Sequence, residues 1–364
     1  MSTSADIKRP GRKPTPVYKR KRRRLYGSLA AAAAVIVAVV VVVVVTQSGS
    51  STVPGFTIAY GQGNVVSSDG IIASEKSLAT TIPAHLKFVP FDAGVTAIAE
   101  MRSGSLQAIS GVGNPPVVGA IGTKTGVTVV MAQSFDADAL IVPKSITTAS
   151  QLAGKSIGVL VGSSEDYEVR GWLAKENLTS SVKVVGFPSE QAASAAYLGG
   201  SVDAAYVQAG PEAQLIAKGG HPIINAEQIA NLGIPGLNVV AVADSLIKSN
   251  PDVVQKYVCA EVQATRLMTG PQADKYLTQS AKVQGVPGNL IVQATKAFPF
   301  IPLNQQLHWL GSVKGDTSSP IVRAYVQTGQ FLVGQGRLPS APTAAQIAAH
   351  VDPTFMKKAL AGGC

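Results

Sequence analysis

Nineteen consecutive residues without a charge, Ser28 to Thr46, mostly Ala and Val, set the strongest limit on what this chain can be. As a helix the run would span about 28 Å, the thickness of a bilayer's hydrocarbon core. Ten Lys/Arg between Lys8 and Arg24 precede it, against the single Asp6. Basic residues before a span and few after it hold the N-terminus in the cytoplasm and send the remainder outward. The chain is therefore expected to divide into a basic cytoplasmic tail (1–27), a transmembrane anchor or signal segment (28–46), a Ser/Gly linker (47–54) and an extracytoplasmic body. The length of the run, and the lack of an Ala-x-Ala site in Val-Thr-Gln-Ser-Gly-Ser, favour an uncleaved anchor at the plasma membrane over secretion after cleavage. No cysteine stands directly after the run, where an anchoring lipid would be carried.

Locating the charge removes one class of partner. Residues 1–26 carry +9 of the formal +10, which leaves +1 for everything else. A nearly neutral body has no basic face for nucleic acid. The two cysteines, Cys259 in a predicted helix and Cys364 at the last position, both fall in the exported part. An oxidising compartment permits a bridge between them, and two separate thiols are the alternative.

Past the linker the apolar pattern alternates between strand and helix periods. Strands are predicted at 56–60, 87–91, 106–110 and 127–132, with helices at 67–77 and 95–103. This order gives a largely parallel sheet. The rhythm restarts after Leu140, with strands at 155–161, 182–187, 203–208 and 222–224 and helices at 164–176, 189–198 and 210–218. One apolar strand returns at 238–242, and helices at 252–268, 272–280, 289–298, 321–333 and 343–351 complete the chain. Lobe 1 is thus expected to comprise 55–138 and 238–364, and lobe 2 to comprise 139–237.

Within lobe 2 the stretch from Val159 to Tyr167 reads as a ligand-cradling turn. A buried strand meets Gly162, two hydroxyls and then an acidic helix start. Glycine lets backbone approach a small molecule, while Ser163 or Ser164 caps the helix and leaves N–H donors facing outward. Open α/β sheets bind ligands beyond the carboxyl ends of their strands, so Ser110, Ser163 and Gln208 should line a crevice between two hinged lobes. Glu165 and Glu212 read as solvated helix faces, and Trp172 and Trp309 as core. Enzyme signatures do not assemble. Gly154-Lys155-Ser156 precedes a strand where a phosphate loop would follow one, and Gly61-Gln62-Gly63 lacks the third glycine of a dinucleotide fingerprint. Four scattered histidines form no metal motif, so neither a metal nor a cofactor is expected.

Phe91-Asp92-Ala93-Gly94, then Ser103-Gly104-Ser105-Leu106-Gln107 and Ile109 to Pro115, resemble a run of the taurine-type solute-binding proteins of ABC importers. The resemblance continues in order and spacing. It takes in 139–142, Leu152-Ala153-Gly154-Lys155-Ser156-Ile157-Gly158-Val159, 203–207 and Ile301-Pro302-Leu303-Asn304-Gln305-Gln306, so it covers roughly residues 55 to 340. The ordered set is specific to the taurine, nitrate and alkanesulfonate class, although no single motif is.

That resemblance implies an α/β, two-lobe periplasmic-binding-protein type II fold with parallel-rich sheets, a ligand cleft and a hinge, preceded here by one N-terminal transmembrane helix. By position, Tyr60 and Gln62 occupy the first loop, and Gly113, Asn114 and Pro115 stand where the family has Gly-Ser-Ser. Ser163, Ser164 and Tyr167 match its Ser-Thr pair and tyrosine. Asp138 stands where taurine proteins have an acid suited to an ammonium group. Departures are as informative: Gln208 replaces a Trp, Asp166 a His and Asn238 an Asp, which puts taurine itself in doubt. The implied function is capture of a small zwitterionic or anionic organic solute and its delivery to ABC permease subunits driven by a cytoplasmic ATPase. A membrane-anchored receptor of the same fold, or an enzyme of pyrimidine-precursor type, are the alternatives.

Overall fold

The computed structural model describes residues 53–61, 66–296 and 298–364. Among these no helix is long and apolar enough to cross a membrane. The predicted anchor at 28–46 lies outside the described residues, as does Gln62.

Ten strands form two five-stranded sheets. They are β1 (Gly55–Gly61), β2 (His85–Phe91), β3 (Ala108–Val112), β4 (Val127–Phe135), β5 (Asp138–Pro143), β6 (Ser156–Leu160), β7 (Lys183–Phe187), β8 (Ala204–Gln208), β9 (Gly220–Asn225) and β10 (Leu237–Ala243). The first sheet runs β2-β1-β3-β10-β4 and the second β7-β6-β8-β5-β9. β1 lies parallel to β2 and β3, and β6 parallel to β7 and β8. Each sheet contains one reversed strand, β10 in the first and β5 in the second. Both are the strands that follow a passage between lobes. β4 and β9 end on the crevice, the chain crosses, and the next strand must start there and run away from it.

Residue patterns explain these places. β10, Leu-Asn-Val-Val-Ala-Val-Ala, is buried at all seven positions, as a strand in the middle of a sheet covered on both faces should be. The helix Pro251–Thr269 opens on proline at its first turn, where a missing N–H costs nothing, and lays Tyr257 edge-on against Phe56 of β1 at 5.1 Å. Cys259 in that helix and Cys364 form a disulfide across 5.7 Å between their Cα atoms, deciding the alternative left open by the sequence.

Sequence patterning missed some elements. The helix Asn114–Gly122 begins Asn-Pro-Pro, which reads as a breaker, yet proline is tolerated in a first turn because those N–H groups have no helical acceptor. β5 follows β4 after only two residues, so no turn signal sets it apart, and the helix Thr354–Leu360 follows a predicted end.

Candidate functional site

The carboxyl ends of the strands face one crevice, and two helix starts meet across it. After β6 the backbone turns at Gly162, whose φ of +79° suits glycine. The Ser163 hydroxyl donates to the Leu160 carbonyl at 2.6 Å and accepts the Asp166 N–H at 3.4 Å, fixing the start of the helix Ser164–Lys175. From lobe 1 the helix Asn114–Gly122 starts at Gly113. A Cβ on Gly113 would overlap the Ser164 hydroxyl, so glycine lets the two starts come this close with that hydroxyl left in place. A cleft of about 50 Å³ remains. A water needs roughly 10–15 Å³ on the same measure, so there is room for a handful of atoms between shut lobes.

The two sides offer different chemistry. On the lobe 1 side Pro115 and Pro116 carry no N–H, which removes two donors from the helix start that would otherwise meet an anion. On the lobe 2 side Ser163 and Ser164 line the cleft beside two carboxylates, Glu165 at 2 % and Glu190 at 6 % exposure. Gln208 ties them together, its backbone N–H donating to Glu190 Oε2 at 3.0 Å and its side-chain amide to Glu165 Oε1 at 3.4 Å. Among the described residues no Lys or Arg lines this cleft. Burial holds both carboxyls above their ordinary range.

Behind Gln208 lie three more carboxylates. Asp136 sits in the outgoing crossover and accepts from Asn238 Nδ2 at 2.7 Å. Glu168 accepts from Tyr206 Oη at 2.7 Å and from the Gly236 N–H at 3.0 Å. Asp138 begins β5 and neither of its oxygens has a hydrogen-bond partner. Burial, reinforced by the Glu165 carboxylate, pushes Asp136 up to about 7, and burial likewise raises Asp138 and Glu168. Lobe 1 holds a separate buried acidic pair, Asp69 and Glu261, served by Tyr257, Ser68 and Gln133.

Of the residues singled out from sequence, Gly113, Ser163, Ser164, Gln208 and Asn238 border the cleft, and Ser110 borders a small cavity that adjoins it at Gly61 and Gly111. Asn114 is fully buried and occupied elsewhere. Its amide donates to the Pro235 carbonyl at 2.8 Å and its oxygen accepts the Leu237 N–H at 3.1 Å, tying down the return crossover. Tyr167 packs edge-on against Phe331 at 5.3 Å. Tyr60 is half-buried at the end of β1, its phenol raised by burial and by Asp69. Asp138 lies behind the cleft wall, paired in register with Gln208. Asp166, the family's His position, turns to Arg170 Nε at 2.6 Å and to Arg337 Nη2 at 2.7 Å.

Glu165 corrects one expectation. It was read as a solvated helix face, and it is buried in the cleft because the first turn of its helix points at the opposing lobe. Glu190, Asp136 and Glu168 went unnoticed in the sequence. Ser189-Glu190 had the same signal as Ser163-Ser164, a cap just past a strand end, but β7 carries no glycine turn to draw attention to it.

Comparison with known proteins agrees with this geometry. A family model described as the NMT1-like family matches residues 90–282. The taurine-binding periplasmic protein of Escherichia coli (strain K12) is 25% identical over 278 residues, covering 74% of this chain and 84% of that protein. Among solved structures, the alkanesulfonate-binding protein SsuA from Xanthomonas axonopodis pv. citri bound to MOPS superposes with a TM-score of 0.65 at 21% identity, over 82% of this chain and 98% of that one. The periplasmic aliphatic sulphonate binding protein SsuA from Escherichia coli gives 0.66 at 18% identity, over 84% and 99%.

Proposed function

The chain belongs to the NMT1-like family, and we propose that it is the extracytoplasmic solute-binding component of an ABC importer that closes two lobes on a small zwitterionic solute. Its named relatives are binding proteins and not enzymes. The observation that carries the ligand class is the pairing of Glu165 and Glu190 in a cleft that, among the described residues, no Lys or Arg lines. An ammonium group meets those two carboxylates and favours their ionised form, while the anionic end meets the Ser163-Ser164 helix start, whose dipole contributes about 0.3–2 kcal/mol. A simple anion has only that helix start, since Pro115 and Pro116 remove the matching donors opposite. Closure around the solute gives a permease a surface that the open form lacks.

Thermal unfolding of the full chain against taurine, neutral amino acids, methanesulfonate and nitrate tests this reading. Ligand at a hundred times its Kd adds about 2.7 kcal/mol and moves the midpoint by a few degrees. Amine-bearing zwitterions should shift it and the two simple anions should not. Glu190→Gln should weaken the zwitterion about 10–100-fold, as loss of a charge-assisted bond of about 1.5–3 kcal/mol requires. Equal shifts with methanesulfonate or nitrate would overturn the zwitterion assignment.

A further inference from the structure

Asp136, Asp138 and Glu168 are 2 %, 1 % and 0 % exposed, and one carboxylate oxygen from each lies within 4.8 Å of the others. Both oxygens of Asp138 and Asp136 Oδ2 have no hydrogen-bond partner. Buried carboxylates without donors are costly, and the cost is relieved by a donor, a proton or a cation.

Donors are not the answer. The nearby arginines, Arg170 and Arg337, are bound to Asp166. Tyr206, Asn238 and the Gly236 N–H reach Glu168 and the other oxygen of Asp136, and none reaches Asp138. Burial raises all three carboxyls, so a proton is the competing relief, and titration with a cation separates the two. A metal ion holds its oxygens apart. With bonds of about 2.0–2.6 Å, oxygens around one hard cation stand about 3–5 Å from each other.

We propose that Asp136, Asp138 and Glu168 form a site for one hard divalent cation of calcium's size, behind the cleft wall and at the hinge. The donor set is oxygen alone, which selects Ca²⁺ or Mn²⁺ over the softer metals that seek His or Cys. Mg²⁺ fits less well, since it keeps several waters and wants short, regular bonds. Gly236 is part of the design. A side chain there would overlap both Asp136 Oδ2 and Glu168 Oε1. The ion therefore sits where both crossovers converge, because the Asp136 N–H donates to the Gly236 carbonyl at 3.1 Å and the Gly236 N–H donates to Glu168. It fastens the outgoing and return passages to the helix Ser164–Lys175. The site is distinct from the solute cleft, which has its own pair of acids.

The test uses the full chain in detergent, stripped with EDTA and titrated at pH 7.5 with Ca²⁺, Mn²⁺ and Mg²⁺, following heat release and, for Mn²⁺, loss of the free-ion spin-resonance signal. One ion per chain is expected, with Ca²⁺ and Mn²⁺ tighter than Mg²⁺. Asp138→Asn and, independently, Glu168→Gln should each weaken binding at least tenfold. Asp69→Asn, in the lobe 1 acidic pair, should leave binding unchanged. Asp138→Asn should also melt higher than the wild type in EDTA and lose the rise in midpoint that Ca²⁺ gives the wild type. No saturable Ca²⁺ or Mn²⁺ binding, binding unaltered in both hinge variants, or equal loss in Asp69→Asn would overturn the assignment.

Discussion

Lobe 1 and lobe 2 repeat one strand order, yet they differ in how completely they serve buried acid. In lobe 1, Asp69 accepts from Tyr257 Oη at 2.9 Å and Glu261 from Ser68 Oγ at 2.5 Å, so each carboxylate has a neutral donor on one oxygen while the other oxygen is unpartnered. On the lobe 2 side five carboxylates gather around Gln208 and the crossovers, and Asp138 has no donor at all. The helix starts differ in the same sense: Pro115 and Pro116 blunt one, while Ser163 and Ser164 leave the other able to donate. The repeat fixes where a ligand can sit. Which ligand sits there is decided by the residues that break the repeat.

The largest expected effect separates the lobes by their stability. Only lobe 1 is stapled, by Cys259–Cys364 across 105 residues. A closed loop of that size is worth on the order of 4–5 kcal/mol in the chain-entropy account. Cys364→Ser, or dithiothreitol, should lower the melting of the first sheet and leave the second to unfold in its own step by calorimetry. A single transition shifted as a whole would mean that the lobes fold as one unit.

Next comes pH, which reads the lobe 1 pair. Burial raises Asp69, and burial together with the Asp69 charge raises Glu261. The folded chain therefore keeps protons that the unfolded chain releases near pH 4. That contribution is fully present below the ordinary carboxylate range and is lost as pH climbs through the raised values, so stability should fall from pH 5 to pH 8. Asp69→Asn should flatten the slope, measured as chemical-denaturation midpoints in EDTA so that hinge cations play no part. A slope unchanged in Asp69→Asn would assign it to the lobe 2 acids instead.

A smaller effect should follow from the Gly113–Ser164 contact. A Cβ at 113 lies 2.4 Å from the Ser164 hydroxyl, which can rotate away, and 3.2 Å from the Ser164 Cβ, so Gly113→Ala is a tight fit and Gly113→Val adds two methyl groups to it. Overpacking of that kind costs about 1–3 kcal/mol, here charged against the closed state alone. Solute affinity should drop roughly 5–150-fold in the Val variant, with the melting of the solute-free chain little changed.

Much of this was legible in the sequence, for identifiable reasons. The two sheets follow from apolar strand runs separated by helical ones, and the apolar run at 238–242 marked the strand that the structure extends to Leu237–Ala243. The Val159–Tyr167 turn announced itself through Gly162 and two hydroxyls. What stayed hidden depends on contacts between residues far apart in the chain. Asp136, Glu168 and Glu190 are ordinary acids in sequence and become a group only when the crossovers bring positions 136, 168 and 236 together. Asn114 looked like a ligand residue by position, but its partners are the backbone of 235–237, more than a hundred residues on. Glu165 resembled any acid at a helix start, and its burial comes from the facing lobe.

The smallest of these effects concerns the one side-chain ion pair that crosses the rim among the described residues. Arg337, just past the helix Pro320–Gly334, reaches Asp166 Oδ2 at 2.7 Å, while Arg170 holds Oδ1 from within the same lobe and the Gly162 N–H donates to Oδ2 at 3.1 Å. Asp166 thus keeps two partners when the lobes part. Arg337 is about 29% exposed and regains water on opening, so screening discounts the pair to roughly 1 kcal/mol. Arg337→Ala should weaken solute binding about fivefold and show it as faster release. Arg170→Ala removes a partner present in both states and should leave affinity nearly unchanged. Because the pair is screened, the difference between the two variants should shrink from 50 mM to 500 mM salt. If both variants weaken binding equally at every salt concentration, Asp166 acts by fixing the helix start and not by latching one lobe to the other.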